Sequence, residues 1–512
     1  MEAILDDANK TVAIPAGALP VSRYNVKIFN MDGVPLCEKS NIVVIVHPRR
    51  TQWKTSAAST DWNSWDNWSE GSPWKCTDVI IPSGAIRYPE LLGSGNFCRN
   101  IYFKSGAEVV GTSNLRYGGK AFVDMALQGG RNYMVSAPLQ ETFTGDMFVN
   151  PEGNNIVFTP LDGKNYPEMR HSPVVYQRFW SREVTEKVVG PDGILTAIEV
   201  GTAQWSEQFN AVAEEYDYAQ GFSLRAGDGN DFRGYTFCFP KVHTEYHYWT
   251  PEGVMTGHRD TLARAAASVG KLNPLNTSVT LTNKGGTTFI MGNPQICHLN
   301  VAKFLQENTG VSHILTYDGN TFNPTISIDG QLVSSQNPTV LEIAPMEAFF
   351  VVAKTAENSL KVNLNEEMFC QSGASSARQT SFPVLRISAA AGGNVSSCAV
   401  VKSPGASDGL NDGEDVFMMT DDAVSTPLAV FTLAPDSGRA LALQQMSGLK
   451  KIKLVFLNRN NGPVTLLFEA TGNEWNRWVL EDTLSGKQYP LNEIVELEDV
   501  KSGDGRYILK LL

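Results

Sequence analysis

Apolar and polar residues alternate along much of the chain, as in Leu360-Lys-Val-Asn-Leu364, Thr325-Ile-Ser-Ile328, Lys451-Ile-Lys-Leu454 and Ile494-Val-Glu-Leu497. A period of two places one set of side chains on each face of an extended segment, so these runs predict half-buried antiparallel strands. Turn dipeptides punctuate them at Asp32-Gly33, Asp162-Gly163, Asp192-Gly193, Asp318-Gly319, Asp329-Gly330, Asn461-Gly462 and Asp504-Gly505, which reads as hairpins. Helical patterning is sparse. Asn300-Val-Ala-Lys-Phe-Leu-Gln-Glu-Asn308 offers an N-cap at Asn300, a stop at Gly310, and Val301, Phe304 and Leu305 on one face. Asp260–Ser268 is a second, shorter helix expectation.

This pattern predicts an all-β chain of consecutive sandwich domains, Ig-like or jelly-roll-like, with a short solenoid-like segment. Its 512 residues exceed what one core supports, so three or four domains are expected. Residues 1–49 read as a partial Ig-like sandwich and 50–128 as a tryptophan-motif segment of short strands. Residues 129–376 read as a large sandwich with a helix near 300–308, and 377–512 as a C-terminal sandwich. Ser372–Ser381 has the most linker-like composition.

Composition narrows the function. Charge is low, while the 44 glycines and 26 prolines suit many turns. A formal net charge of −12 with no basic patch argues against nucleic acid and anionic membrane surfaces. The longest apolar runs, such as Ile42-Val-Val-Ile-Val46, are far below the roughly 20 residues of a membrane helix. The first residues carry neither a basic nor an apolar signal region, and Tyr24–Pro48 resembles the last strands of a module. The expectation is therefore a piece of a longer exported chain. None of the seven cysteines forms a CxxC pair, which disfavours a structural zinc site. Cys76 and Cys98 bracket a strand-turn-strand unit and are the disulfide candidates; two buried thiols are the alternative.

The densest chemistry lies in Asp61-Trp-Asn-Ser-Trp-Asp-Asn-Trp68, followed by Gly71-Ser-Pro73 and Cys76-Thr-Asp-Val-Ile-Ile-Pro82. Tryptophan is costly to expose. Trp62, Trp65 and Trp68 therefore either form a platform for sugar rings or build a small core. His243, Glu245 and His247 would share one strand face and could converge on a metal, although alternating polar residues also describe a solvated face. Two acidic loops invite calcium: Asp228-Gly-Asn-Asp231, and Asp408-Gly-Leu-Asn-Asp-Gly-Glu-Asp415 with Asp408, Asp412, Glu414 and Asp415 as ligands. Neither fits EF-hand spacing, and ordinary Asx-turns are the alternative. Glu214, Glu215 and Asp217 lie among tyrosines, where spatial separation would decide any glycosidase role. There is no GxSxG motif, P-loop or dinucleotide fingerprint.

The tryptophan motif with "DVIIP" resembles a repeat of large Bacteroidetes surface proteins. The likeness continues through Asn100–Val110, Tyr133-Met-Val-Ser-Ala-Pro-Leu139, Thr144-Gly-Asp-Met-Phe148, Met291-Gly-Asn-Pro294 with His298–Phe304, Ile343–Val351, Glu414-Asp-Val416 and Trp478–Asp482. These blocks resemble very large Bacteroides- and Prevotella-type multi-domain surface proteins that often leave by type IX secretion. The resemblance implies an extracellular or cell-surface location and a non-enzymatic, adhesin-like role toward host, biofilm or glycan partners. A carbohydrate-binding module is the first alternative, and a glycosidase or metallohydrolase the second. No nucleic-acid partner or membrane insertion is expected, and calcium is the one cofactor the residues suggest. Both ends are expected to depart from the resemblance: the first residues do not read as an export signal, and Arg506–Leu512 stands where a C-terminal sorting domain would be expected.

Overall fold

The computed structural model describes residues 19–25, 44–125, 133–140, 218–223, 270–282, 286–318, 321–355, 358–375, 381–420, 426–503 and 505–512 in full. For further strands, among them Phe179–Val189, Leu195–Trp205, Lys241–Trp249 and Met255–Ala263, the backbone course is given. The chain is all-β in character: strands dominate, and Val301–Glu307 is the one α-helix among the described residues. None of those residues forms a helix long and apolar enough to cross a membrane.

Near the N-terminus, Ser22–Val26 pairs antiparallel with Ile42–Val46. From residue 50 the pairing becomes parallel. Arg50–Gln52, Asp78–Ile81, Ile101–Phe103 and Ala121–Val123 lie side by side in register. Two further parallel stacks flank them, through Asp61, Glu90 and Val110 and through Asn96–Cys98 with Leu115–Tyr117. These strands begin at Arg50, Asp78, Ile101 and Ala121, so successive starts are 28, 23 and 20 residues apart. Val79, Ile81, Ile101, Phe103, Ala121 and Val123 point into one core. Ile80, Tyr102 and Phe122 point the other way and form their own buried row, with the Tyr102 and Phe122 rings stacked at 4.4 Å.

The middle region centres on a five-stranded antiparallel sheet in the order 288–292, 348–353, 311–317, 322–328, 331–334. Alternate residues of Ala348–Ala353 feed two cores: Phe349 and Val351 face the helix, while Phe350 and Val352 face the C-terminal region. This strand is buried throughout, so its sequence is continuously apolar. The Asp329-Gly330 pair turns between Ile328 and Gln331 with φ of +48° and +75°, the left-handed pair that a two-residue hairpin demands. Asn300 caps the helix by accepting from the Lys303 amide at 2.9 Å, and Val301, Phe304 and Leu305 are buried, as the sequence pattern predicts.

The C-terminal strands contribute most of a 14-stranded sheet. Leu385, Ile387, Leu454, Phe456, Leu466 and Leu509 share one core, while Ala429, Phe431, Val455 and Leu457 face another. Val384, Ala399, Val401 and Leu443 merge with the middle core. Arg386, 6% exposed, ties the same seam by donating from Nε to the Ser334 carbonyl at 3.0 Å.

Two local expectations are corrected. Asp260–Ala263 lies in the strand Met255–Ala263, paired along its length with Lys241–Trp249, so cross-strand pairing overrides any helical preference there. Asp504-Gly505 begins the strand Asp504–Leu511 rather than forming a turn; the reversal uses Gly503, at φ +75°.

Three segments, Tyr133–Leu139, Met291–Pro294 and Ile343–Val351, meet at one joint. Ser136 donates its amide to Met346, and Asn293 donates its amide to Glu347, both at 2.8 Å. Gly292 lies so close that a Cβ there would stand 2.1 Å from Ser136 Cβ. Asn273 Nδ2 bridges the Ala137 and Pro294 carbonyls at 2.8 and 3.2 Å. Ile296, Met346, Val135 and Leu139 complete the core of the parallel strands.

Candidate functional site

The tryptophan motif divides its rings between interior and surface. Trp68 lies edge-on between Trp53 and Trp62, at centroid distances of 5.0 and 4.9 Å. Trp62 and Trp68 are each 1% exposed, so neither offers a face to a sugar, and the platform expectation is corrected for both. Two hydrogen bonds hold the knot: Trp68 Nε1 donates to the Trp62 carbonyl at 2.7 Å, and Trp53 Nε1 to the Arg87 carbonyl at 2.8 Å. Asn67, buried beneath them, donates to the Ser59 and Asp61 carbonyls and to Ser59 Oγ. Trp65 is half-buried because Gly71 leaves room for it: a Cβ on Gly71 would meet the indole at 2.3 Å.

The aromatic surface lies six residues further on, at Trp74, which is 42% exposed. Its ring stacks on His47 at 5.4 Å with an interplanar angle of 13°, and meets Phe97 edge-on at 4.7 Å. His47 is oriented by its Nδ1–H, which donates to the Ser72 carbonyl at 2.7 Å. Lys75 Nζ lies 5.0 Å from the Phe97 centroid and 5.9 Å from that of Trp74. Trp74 is fixed because its amide donates to Thr77 Oγ1 at 3.1 Å, and that hydroxyl donates to the Pro48 carbonyl. Sequence reasoning missed this ring. A tryptophan directly after Pro73, next to a lysine and outside any alternating run, was the available signal.

Cys76 and Cys98 carry free thiols. Cys98 points into the core of its strand and Cys76 stands exposed in the preceding loop, so the expected bridge is not formed. Burial, reinforced by Asp78, pushes the Cys98 thiol well up and keeps it protonated.

The acidic loop folds on itself through backbone amides. Asp408 Oδ1 accepts from the Ser447 and Gly448 amides at 2.9 and 2.8 Å, and Glu414 Oε2 from the Ser407 amide at 2.7 Å. Asp415 accepts from Asn411 and Gln445 at 3.0 and 2.9 Å. Asp412 is exposed. Among the described residues no three His, Cys, Asp or Glu side chains converge to hold a metal. The residues of the calcium expectation are therefore differently engaged here: Asp408, Glu414 and Asp415 accept from backbone amides, and Asp412 is exposed.

Asp415 has a consequence for pH. Burial raises its pKa from the ordinary 3.8 to about 6; the Asn411 and Gln445 amides oppose this, and Glu414 and Asp436 add to it. A carboxyl whose folded pKa is raised costs stability above that pKa and relieves the cost as pH falls toward the unfolded value. The cost at neutral pH is roughly 2–3 kcal/mol. Asp415→Asn should abolish the part of the stability gain between pH 7 and 4 that Asp415 supplies. Denaturant melts of both proteins across that range test it, and parallel pH curves would refute it.

A polar shelf lies on the sheet formed by 298–300, 342–343 and 369–370. Cys370 is opposite His298 and Glu342 opposite Asn300, so all four share a face. Glu342 accepts from the Ser375 and Gly373 amides at 2.7 and 2.9 Å. Burial works against its charge, but these amides outweigh it and lower the pKa. Glu108 accepts from the Ser372 amide at 2.9 Å and lies 3.2 Å from His298 Nδ1, without hydrogen-bond alignment. The Cys370 thiol is pushed up, chiefly by burial, which leaves it a poor nucleophile. The shelf clamps the 371–375 loop onto the parallel strands.

Glu214, Glu215, Asp217 and Asp228–Asp231 lie outside the described residues. His243, Glu245 and His247 fall on the strand Lys241–Trp249, whose side chains are likewise outside them. No protein-family model matches the chain, and neither a curated protein nor a solved structure does.

Proposed function

We propose that this chain is a non-enzymatic, adhesin-like segment of a surface or secreted protein that holds a glycan of a host or biofilm surface. On this reading the parallel stacks are solenoid coils, and the middle and C-terminal sheets form sandwiches that share cores with them. The exposed Trp74 ring carries the proposal. It is held by backbone bonds and backed by His47, and flat apolar sugar faces stack on such an indole. The order of sequence blocks resembling Bacteroidetes surface proteins supports the location. Rigid shared cores would display the site, and repetition in a longer chain would raise avidity.

An oligosaccharide array, probed with wild type and with Trp74→Ala, tests the reading. Trp74 touches no other indole of the motif core, so the variant should keep the wild-type melt and lose about tenfold or more in affinity. Equal binding by both proteins would reject this site.

A further inference from the structure

The Trp74 surface has a chemical bias. Asn96–Cys98 and Leu115–Tyr117 run parallel with Phe97 in register with Arg116. Asn96, Cys98 and Leu115 are buried, whereas Phe97 is half-buried and Arg116 exposed, so Phe97 and Arg116 share the outer face. Neighbouring strands stand about 4.8 Å apart, which puts the Arg116 backbone one rung beyond Phe97 on the same face. Lys75 lies over the same ring. Neither Lys75 nor Arg116 takes part in an ion pair among the described residues. The nearby Arg99, by contrast, is bound to Asp78 through Nε at 2.7 Å. The strip therefore runs His47, Trp74, Phe97, Arg116, with Lys75 above its middle.

We infer that this strip binds an acidic polysaccharide of the uronate class: one sugar ring stacks on Trp74, and ring-borne carboxylates meet Lys75 and Arg116. The inference rests on the glycan-binding reading above. Charge complementarity selects the class. The chain carries a net −12, so two cations without an ion pair among the described residues, beside an exposed indole, run against the overall field. Acidic groups more than about 8 Å away are screened at physiological salt and do not cancel them. A carboxylate at the edge of a stacked ring meets a lysine or arginine directly, and arginine can take it in a two-pronged contact.

The test uses the full chain and uronate hexasaccharides of galacturonate, mannuronate and hyaluronan type, each beside its methyl ester, which keeps the sugar and removes the charge. At least one free acid should bind about tenfold more tightly than its ester, and the difference should shrink in high salt. Lys75→Gln and Arg116→Gln should each lower acid binding severalfold and leave ester binding unchanged, while Trp74→Ala should lower both. Esters binding as well as acids, with both glutamine variants silent, would overturn the acidic preference and leave the glycan site standing. No binding of any acid or ester would overturn the uronate assignment and leave the glycan site to the array, whereas binding of both forms undiminished in Trp74→Ala would overturn both.

Discussion

Truncating Trp68 to alanine is expected to cost about 3–5 kcal/mol and to unfold the parallel-stranded region. The ring is 1% exposed and makes edge contacts with two other indoles. Its removal opens a cavity that Trp53 cannot close, because that indole is tied to the Arg87 carbonyl. It also leaves the Trp62 carbonyl without its 2.7 Å indole donor, and a buried acceptor left unmade adds to the cost. Trp74→Ala is the internal comparison, since that ring is surface-mounted. Denaturant unfolding followed by circular dichroism measures both. A Trp68→Ala protein within about 1 kcal/mol of wild type, the scale of an ordinary substitution, would show that the knot is not a core.

Asn293→Ala should be nearly as damaging, at about 3 kcal/mol or more. The side chain is fully buried, and its Nδ2 serves the carbonyls of Cys297, Ile343 and Ala344 at 2.8, 3.1 and 3.0 Å. Its Oδ1 accepts from the Gln295 amide at 3.1 Å. Alanine would orphan all of these at the joint where the parallel strands meet the middle sheet. Asn293→Asp keeps the shape but sets a carboxylate against carbonyl oxygens, so it should destabilise at least as much. A melt unchanged by both variants would contradict the structural role assigned to the Met291–Pro294 block.

The fold class was legible because period-two patterning reports burial directly, as Ser359–Asn363 illustrates with alternate residues buried. The helix was legible because capping is local: Asn300 and Lys303 are three residues apart. What escaped depends on contacts distant in sequence. Asp408 is satisfied by amides near residue 448, and Asp415 by Gln445, so a loop that reads as a calcium ligand set is pinned to a distant segment by backbone amides. The tryptophan cluster announced a packed or binding element, but spacing alone could not say which rings face inward. Gly71 and Asn67 decide that, one by admitting the Trp65 indole and the other by bonding the loop. The exposed aromatic surface lies instead at Trp74, whose partners His47 and Phe97 lie about 25 residues away on either side.

Oxidative footprinting of the tryptophans, with and without a bound glycan from the array, tests the central claim most directly. The account predicts rapid oxidation of Trp74 in the free protein, slow oxidation of Trp53, Trp62 and Trp68, and protection of Trp74 when the glycan binds. Comparable oxidation of Trp62 or Trp68 in the folded protein, or glycan binding that leaves Trp74 unprotected, would contradict it.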